Sequence, residues 1–144
     1  MRKLRTIGTE SPVIRVLAVT PIQQDHDTLD VMLPNPKWIV LKARSLTSAK
    51  TKLRTRNSIP VVLCERDLAP DSWREMLEYL RRMDEPPLLI VTSHLADERL
   101  WAEALNLGAY DVLAKPFDVG EVTRILSLAC LRWHHRHVST LGCN

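Results

Sequence analysis

The sequence predicts an α/β protein in which five strands alternate with five helices to form a doubly wound parallel sheet. Three observations lead there. Short apolar runs of buried-strand type recur along the chain, at Val13–Val19, Trp38–Ala43, Pro60–Cys64, Leu88–Val91 and Asp111–Ala114. The segments between them place their apolar residues at helical spacing. In the stretch Leu88–Phe117 the two patterns join as strand, helix, Gly turn and strand. A unit of that kind, about 30 residues long, implies a parallel pair with a right-handed crossover.

Taken in order, residues 1–12 form a flexible lead, because Gly8, Ser11 and Pro12 break any pattern. The first strand, VIRVLAV, is β-branched and nearly all apolar, and Thr20-Pro21 ends it. A helix over Asp25–Leu33 turns Leu29, Met32 and Leu33 inward, and Pro34-Asn35-Pro36 stops it. After the strand Trp38–Ala43, Ser45 caps a helix that runs to about Arg56 with Leu46, Ala49 and Leu53 inside. The third strand runs from Pro60 through Cys64 into Glu65, followed by a loop over Arg66–Asp71. Trp73, Met76, Leu77 and Leu80 mark the inner face of a helix over Ser72–Arg82. In the next helix, Ala96–Leu107, Leu100, Trp101, Ala104 and Leu105 share the inner stripe, and Gly108 follows as its C′ residue. Asp118 caps the last helix, with Glu121 in capping-box position and Val122, Ile125, Leu126, Ala129 and Trp133 as its core face. The expected organisation is a lead at 1–12, one domain over 13–133, and a polar, fraying tail at 134–144.

Composition narrows the function classes. A chain of 144 residues with 45% apolar content suits one domain with a sizeable core. It has neither an apolar run of membrane-spanning length nor a secretory signal pattern, so the expected location is the cytoplasm. Three widely spaced cysteines, Cys64, Cys130 and Cys143, suggest neither a disulfide framework nor a zinc motif. The four glycines are dispersed, which argues against a phosphate-cradling loop. No nucleophile-elbow motif occurs, and the reading is of a protein that is not an enzyme. His134, His135 and His137 read as a solvated tail rather than a metal site, and no cofactor is expected.

The apolar run into Thr92-Ser93, the Gly108-Ala109-Tyr110-Asp111 turn and above all Lys115-Pro116-Phe117 resemble the receiver domain of bacterial response regulators, the CheY-like family. The resemblance covers roughly 13–131. It implies a flavodoxin-like sheet in the order 2-1-3-4-5, with a site at the carboxyl edge of the strands. In that family an acidic pair after strand 1 and an Asp after strand 3 hold Mg²⁺, the Asp accepts a phosphoryl group, and a Lys neutralises the developing charge. A hydroxyl residue on strand 4 and an aromatic on strand 5 act as the switch.

Against that list, the acidic-pair positions are Thr20 and Pro21, which supply no carboxylate. Keeping the apolar run in register puts Glu65 at the phospho-acceptor position, with Asp67 as the alternative. Thr92 and Lys115 match the family hydroxyl and lysine, whereas Val112 stands at the aromatic position and Tyr110, two residues earlier, is a candidate substitute. Asp25 and Asp27 are expected to be carried away from the strand end by their helix. Without both metal carboxylates the chain reads as a pseudo-receiver, in which Lys115 pairs directly with Glu65 instead of serving phosphoryl transfer. The plainer alternative makes Thr92 and Lys115 capping and packing residues.

The function expected is bacterial signal transduction through a protein partner, with a homodimer through helix 4, strand 5 and helix 5 as one form. Trp73 and Trp101 are expected in the core, and His94 on an exposed loop. The rivals are a working phospho-acceptor in a phosphorelay, using Glu65 or Asp67, and nucleic-acid binding through the basic ends, Arg2, Lys3, Arg5, Arg132 and Arg136. The latter has no helix-turn-helix or basic-aromatic platform to support it.

Overall fold

The parallel sheet is assembled from strands that are apolar on both faces, so each needs a covering layer above and below. A computed structural model describes residues 13–55 and 58–142, with side chains through Arg136. The expected lead at 1–12 and Cys143 lie outside the described residues. Strands β1 (Ile14–Val19), β2 (Trp38–Ala43), β3 (Val61–Glu65), β4 (Leu88–Ser93) and β5 (Asp111–Ala114) form one five-stranded sheet. All its pairings are parallel and its order is β2-β1-β3-β4-β5. The helices between and after them are α1 (Gln23–Met32), α2 (Leu46–Thr55), α3 (Trp73–Arg81), α4 (Glu98–Leu107) and α5 (Val119–Gly142).

Two cores follow from the period-two alternation of the strands. Leu17, Val19, Val62, Cys64, Leu89, Val91 and Val112 face α2, α3 and α4. Val16, Ala18, Val61, Leu63, Ile90 and Leu113 face α1 and α5, which supply Leu29, Val122, Ile125, Leu126 and Ala129. Trp73 is fully buried in the first core, as its spacing predicts. Trp101 is not: half its surface is exposed, because Leu100 and Ala104 define the buried line of α4 and the next residue lies about 100° around the helix.

Local signals account for most helix ends. Ser72 accepts from the Arg74 amide and Glu75 reaches back to the Ser72 amide, a complete capping box at α3. Asp97 caps α4 by accepting from the Leu100 amide. Gly108 ends α4 in the left-handed region at φ 115°, and a Cβ there would also approach the Arg81 guanidinium at 3.0 Å. The loop expected at 66–71 holds a small antiparallel ladder, Asp67–Leu68 against Asp71–Ser72. The last helix, expected to fray after His134, continues to Gly142.

Candidate functional site

Parallel packing brings the carboxyl ends of β1, β3, β4 and β5 to one edge. Glu65 is the last residue of β3 and lies opposite Thr92 of β4 in the register, while the Lys115 amide extends the β4–β5 pairing by donating to the Ser93 carbonyl. Five side chains therefore converge. Lys115 Nζ lies 2.7 Å from Glu65 Oε1 and 2.8 Å from Asp25 Oδ2. Thr92 donates its hydroxyl to Glu65 Oε1 at 3.0 Å, and Thr20 donates to Asp25 Oδ2 at 3.0 Å. All five residues are buried, Lys115 at 6% exposure, Glu65 at 7% and Asp25 at 8%.

The ion pair expected between Lys115 and Glu65 is present, and Asp25 makes a second one. The expectation that α1 would carry Asp25 away from the strand end is overturned. Helical side chains tilt toward the N-terminus, and α1 begins at Gln23, so an acid in its first turn reaches back over the end of β1. Asp27, one turn-fraction further round, is exposed and accepts from Gln23 Nε2 at 2.8 Å. The sequence shows an acid shortly after Thr20-Pro21, but that alone does not say which way its side chain leans.

The degenerate positions after β1 have structural work. Thr20 holds Asp25 through its hydroxyl, which also accepts from the Ile22 amide, and its carbonyl accepts from His26 Nε2 at 2.9 Å. Pro21 is exposed and contributes a carbonyl to the Arg44 guanidinium at 3.4 Å. Asp67, the alternative acceptor, is exposed and paired with Arg66 rather than with Lys115. Tyr110 precedes β5 and packs with the α1–α5 core, whereas Val112 belongs to the opposite core. The two do not share a side because the strand alternation starts only at Asp111.

Burial by itself would lower the Lys115 pKa. The hydrogen bonds to Asp25 and Glu65, and then the charges of those carboxylates, outweigh it and hold the ammonium above its ordinary value of 10.5. Cys64, beside Glu65, is pushed upward by burial and then by the Glu65 charge, so it stays a thiol.

Mg²⁺ requires near-octahedral oxygen ligation. The site offers two carboxylates, each with an oxygen already on the Lys115 ammonium, and a Thr-Pro pair where further acids would be needed. Among the described residues no group of three His, Cys, Asp or Glu side chains comes together. The donor set does not fit the ion.

No protein-family model and no curated protein matches the chain. Solved structures do. The signal receiver domain of an HD domain-containing protein from Pseudomonas fluorescens Pf-5 is similar with a TM-score of 0.79 at 23% identity, over 90% of this chain and 95% of that one. A CheY-like response regulator receiver domain protein from Methanospirillum hungatei JF-1 gives 0.75 at 17% identity, over 86% and 98%. The NtrC4 receiver domain, solved as a beryllofluoride-activated dimer, gives 0.75 at 20% identity, over 83% and 98%. The class is therefore set at the level of architecture. The chain has the receiver-domain, CheY-like fold found in two-component response regulators.

Proposed function

We propose that this protein is a pseudo-receiver: a bacterial, cytoplasmic signalling domain that works without Mg²⁺-dependent aspartyl phosphorylation and acts by binding another protein rather than by catalysis. The observation that carries this reading is the position of Lys115 Nζ, shared between Asp25 and Glu65 in a buried cluster. In a phosphorylatable site a cation and a lysine leave room for an incoming phosphoryl group. Here the protein's own carboxylates already satisfy the lysine, and Thr92 is spent on Glu65.

The partner surface in this reading is the edge formed by α4, β5 and α5. Trp101 is 50% exposed there and Leu131 65%, with Leu128 also exposed. Large apolar groups on a charged surface favour a partner. The NtrC4 receiver was solved as a dimer, which makes a second copy of this chain one candidate.

Intact mass after incubation with Mg²⁺ and acetyl phosphate tests the proposal, with Glu65→Ala and Asp67→Ala alongside. The expected result is no added mass in folded protein. A phosphate adduct lost in one variant would overturn the reading and name the acceptor.

A further inference from the structure

The two edges of the sheet are not alike. β5 has four residues, and Val112 and Leu113 at its centre are buried. β2 has six, and its middle residues Ile39, Val40 and Leu41 are only half-buried although all three are apolar. The Ile14 amide donates to the Lys37 carbonyl, and the Thr20 amide to the Ala43 carbonyl. In a parallel ladder the backbone groups of alternate residues point to the same side, so positions 37, 39, 41 and 43 serve β1. The amides and carbonyls of Val40 and Lys42 therefore face outward. Among the described residues β2 has β1 as its one strand partner, and no loop amide or carbonyl reaches Val40 or Lys42. An edge of this kind is a template for one more strand.

Charge decides which strand fits. Between Val31 and Cys64 the sequence has seven Lys and Arg and no Asp or Glu, whereas the rest of the chain carries more acids than bases. Lys42 stands on β2 itself, and with Arg44 and Lys52 it borders one open hollow at the carboxyl end of that strand. Among the described residues Asp30, 2.6 Å from Lys42, is the one acid paired with any of these three. Pairing the β2 strands of two copies would set these cations against each other, and like charges across a ladder are destabilising. The chain's own ends match no better. Residues 1–12 carry Arg2, Lys3 and Arg5 against Glu10, and residues 137–144 contain no Asp or Glu.

We infer that the outer edge of β2 takes up an extended acidic segment of another protein as a sixth strand. Backbone pairing with Val40 and Lys42 supplies the attachment, and side chains supply the selectivity. Val40 packs with the α1–α5 core and Leu41 with the opposite one, so the two faces of the added strand meet different surroundings. Acidic side chains on the Lys42 face address the basic groups, and apolar side chains on the other face cover Ile39 and Leu41. This edge lies at the opposite end of the sheet from β5. It stands whether or not Glu65 or Asp67 takes up phosphate.

The probe is a capped eight-residue peptide of alternating Glu and Val, titrated into the full chain and followed by two-dimensional amide NMR and amide hydrogen exchange. Two further peptides are N-methylated, one on the Glu amides and the other on the Val amides, which leaves charge unchanged and blocks backbone pairing. Other arms use a Lys-Val peptide and the double variant Arg44→Glu/Lys52→Glu. The expected result is saturable shifts centred on Trp38–Arg44, with slowed exchange of the Val40 and Lys42 amides. At least one methylated peptide should bind about tenfold or more weakly, as loss of two backbone hydrogen bonds implies. The Lys-Val peptide should not bind, and the double variant should bind the Glu-Val peptide several-fold more weakly. Undiminished binding of both methylated peptides would leave charge attraction alone and overturn the inference, as would shifts centred elsewhere or no saturable binding. Protection of the same amides that rises with protein concentration in the absence of peptide would give the edge to a second copy and overturn it too.

Discussion

Two acid–base clusters in this molecule use the same chemistry in opposite surroundings. Arg74 and Glu103 join α3 to α4 on the surface, with the guanidinium Nε 2.7 Å from the carboxylate and the two side chains 50% and 38% exposed. Asp25, Lys115 and Glu65 join α1, β5 and β3 with contacts of similar length, but with side chains only 11%, 2% and 8% exposed. Water can replace either partner of the surface pair. It cannot replace Lys115, whose loss would leave two like charges buried together. Geometry alone would rank the two clusters equally, whereas burial makes one a condition of the fold's functional edge and the other nearly dispensable.

The largest expected effect is therefore at Lys115. Lys115→Met should lower unfolding free energy by about 3–5 kcal/mol, the usual cost of stripping one partner from a buried ionic group, as read by urea denaturation. Asp25→Asn should cost less, about 1.5–3 kcal/mol, the range for a hydrogen bond to a charged group, because a neutral Lys115–Glu65 pair survives and Asn can still accept from Thr20. If Lys115→Met proved as mild as Asp25→Asn, the cluster would not be the organising feature of this edge.

The same comparison explains what could be read without coordinates. The strands Trp38–Ala43 and Asp111–Ala114 were legible to the residue, since apolar runs bounded by Pro, Gly and capping residues specify them locally. Glu65, Thr92 and Lys115 could be placed at one edge because strand ends in a parallel sheet share it. Asp25 could not, because which way a first-turn side chain leans depends on where α1 starts, and that start was expected two residues late. Trp101 failed for a related reason. Apolar residues at positions 100, 101, 104 and 105 span more of the helix than one core can cover, and only packing decides which side is left out. His26 gave no local signal, since its partner is a backbone carbonyl six residues earlier.

A pH dependence sharpens the contrast further. Lys115 has a folded pKa raised above 10.5, so its contribution is fully present below that pH. It declines as pH rises, first because the unfolded chain releases its proton more easily, and it is gone once pH passes the folded value. The stability difference between the native protein and Lys115→Met should thus stay flat from neutrality to about pH 10 and shrink above it, in urea melts at stepped pH. A difference already shrinking between pH 7 and 9 would contradict a lysine held charged by Asp25 and Glu65.

Smaller effects belong to the surface. Ser72→Ala removes the side-chain half of the α3 capping box and should cost about 1 kcal/mol, measurable as a drop in thermal midpoint. Part of that loss should appear in Glu75, whose pKa is held below the usual value first by the Ser72 hydroxyl and then by the Ser72 amide, so a titration of the variant should find it higher. Smallest of all should be Glu103→Gln. Its partner Arg74 stays solvated and keeps its position over the Trp73 ring, 5.2 Å from the centroid. The expected change is between about 0 and 1 kcal/mol, and it should vanish at high salt, because an exposed pair is screened as a buried one is not. Chemical denaturation of Glu103→Gln and Lys115→Met at low and high ionic strength puts the two clusters side by side. If the Arg74–Glu103 effect resisted salt while the Lys115 effect faded, the roles assigned to the two would have to be exchanged.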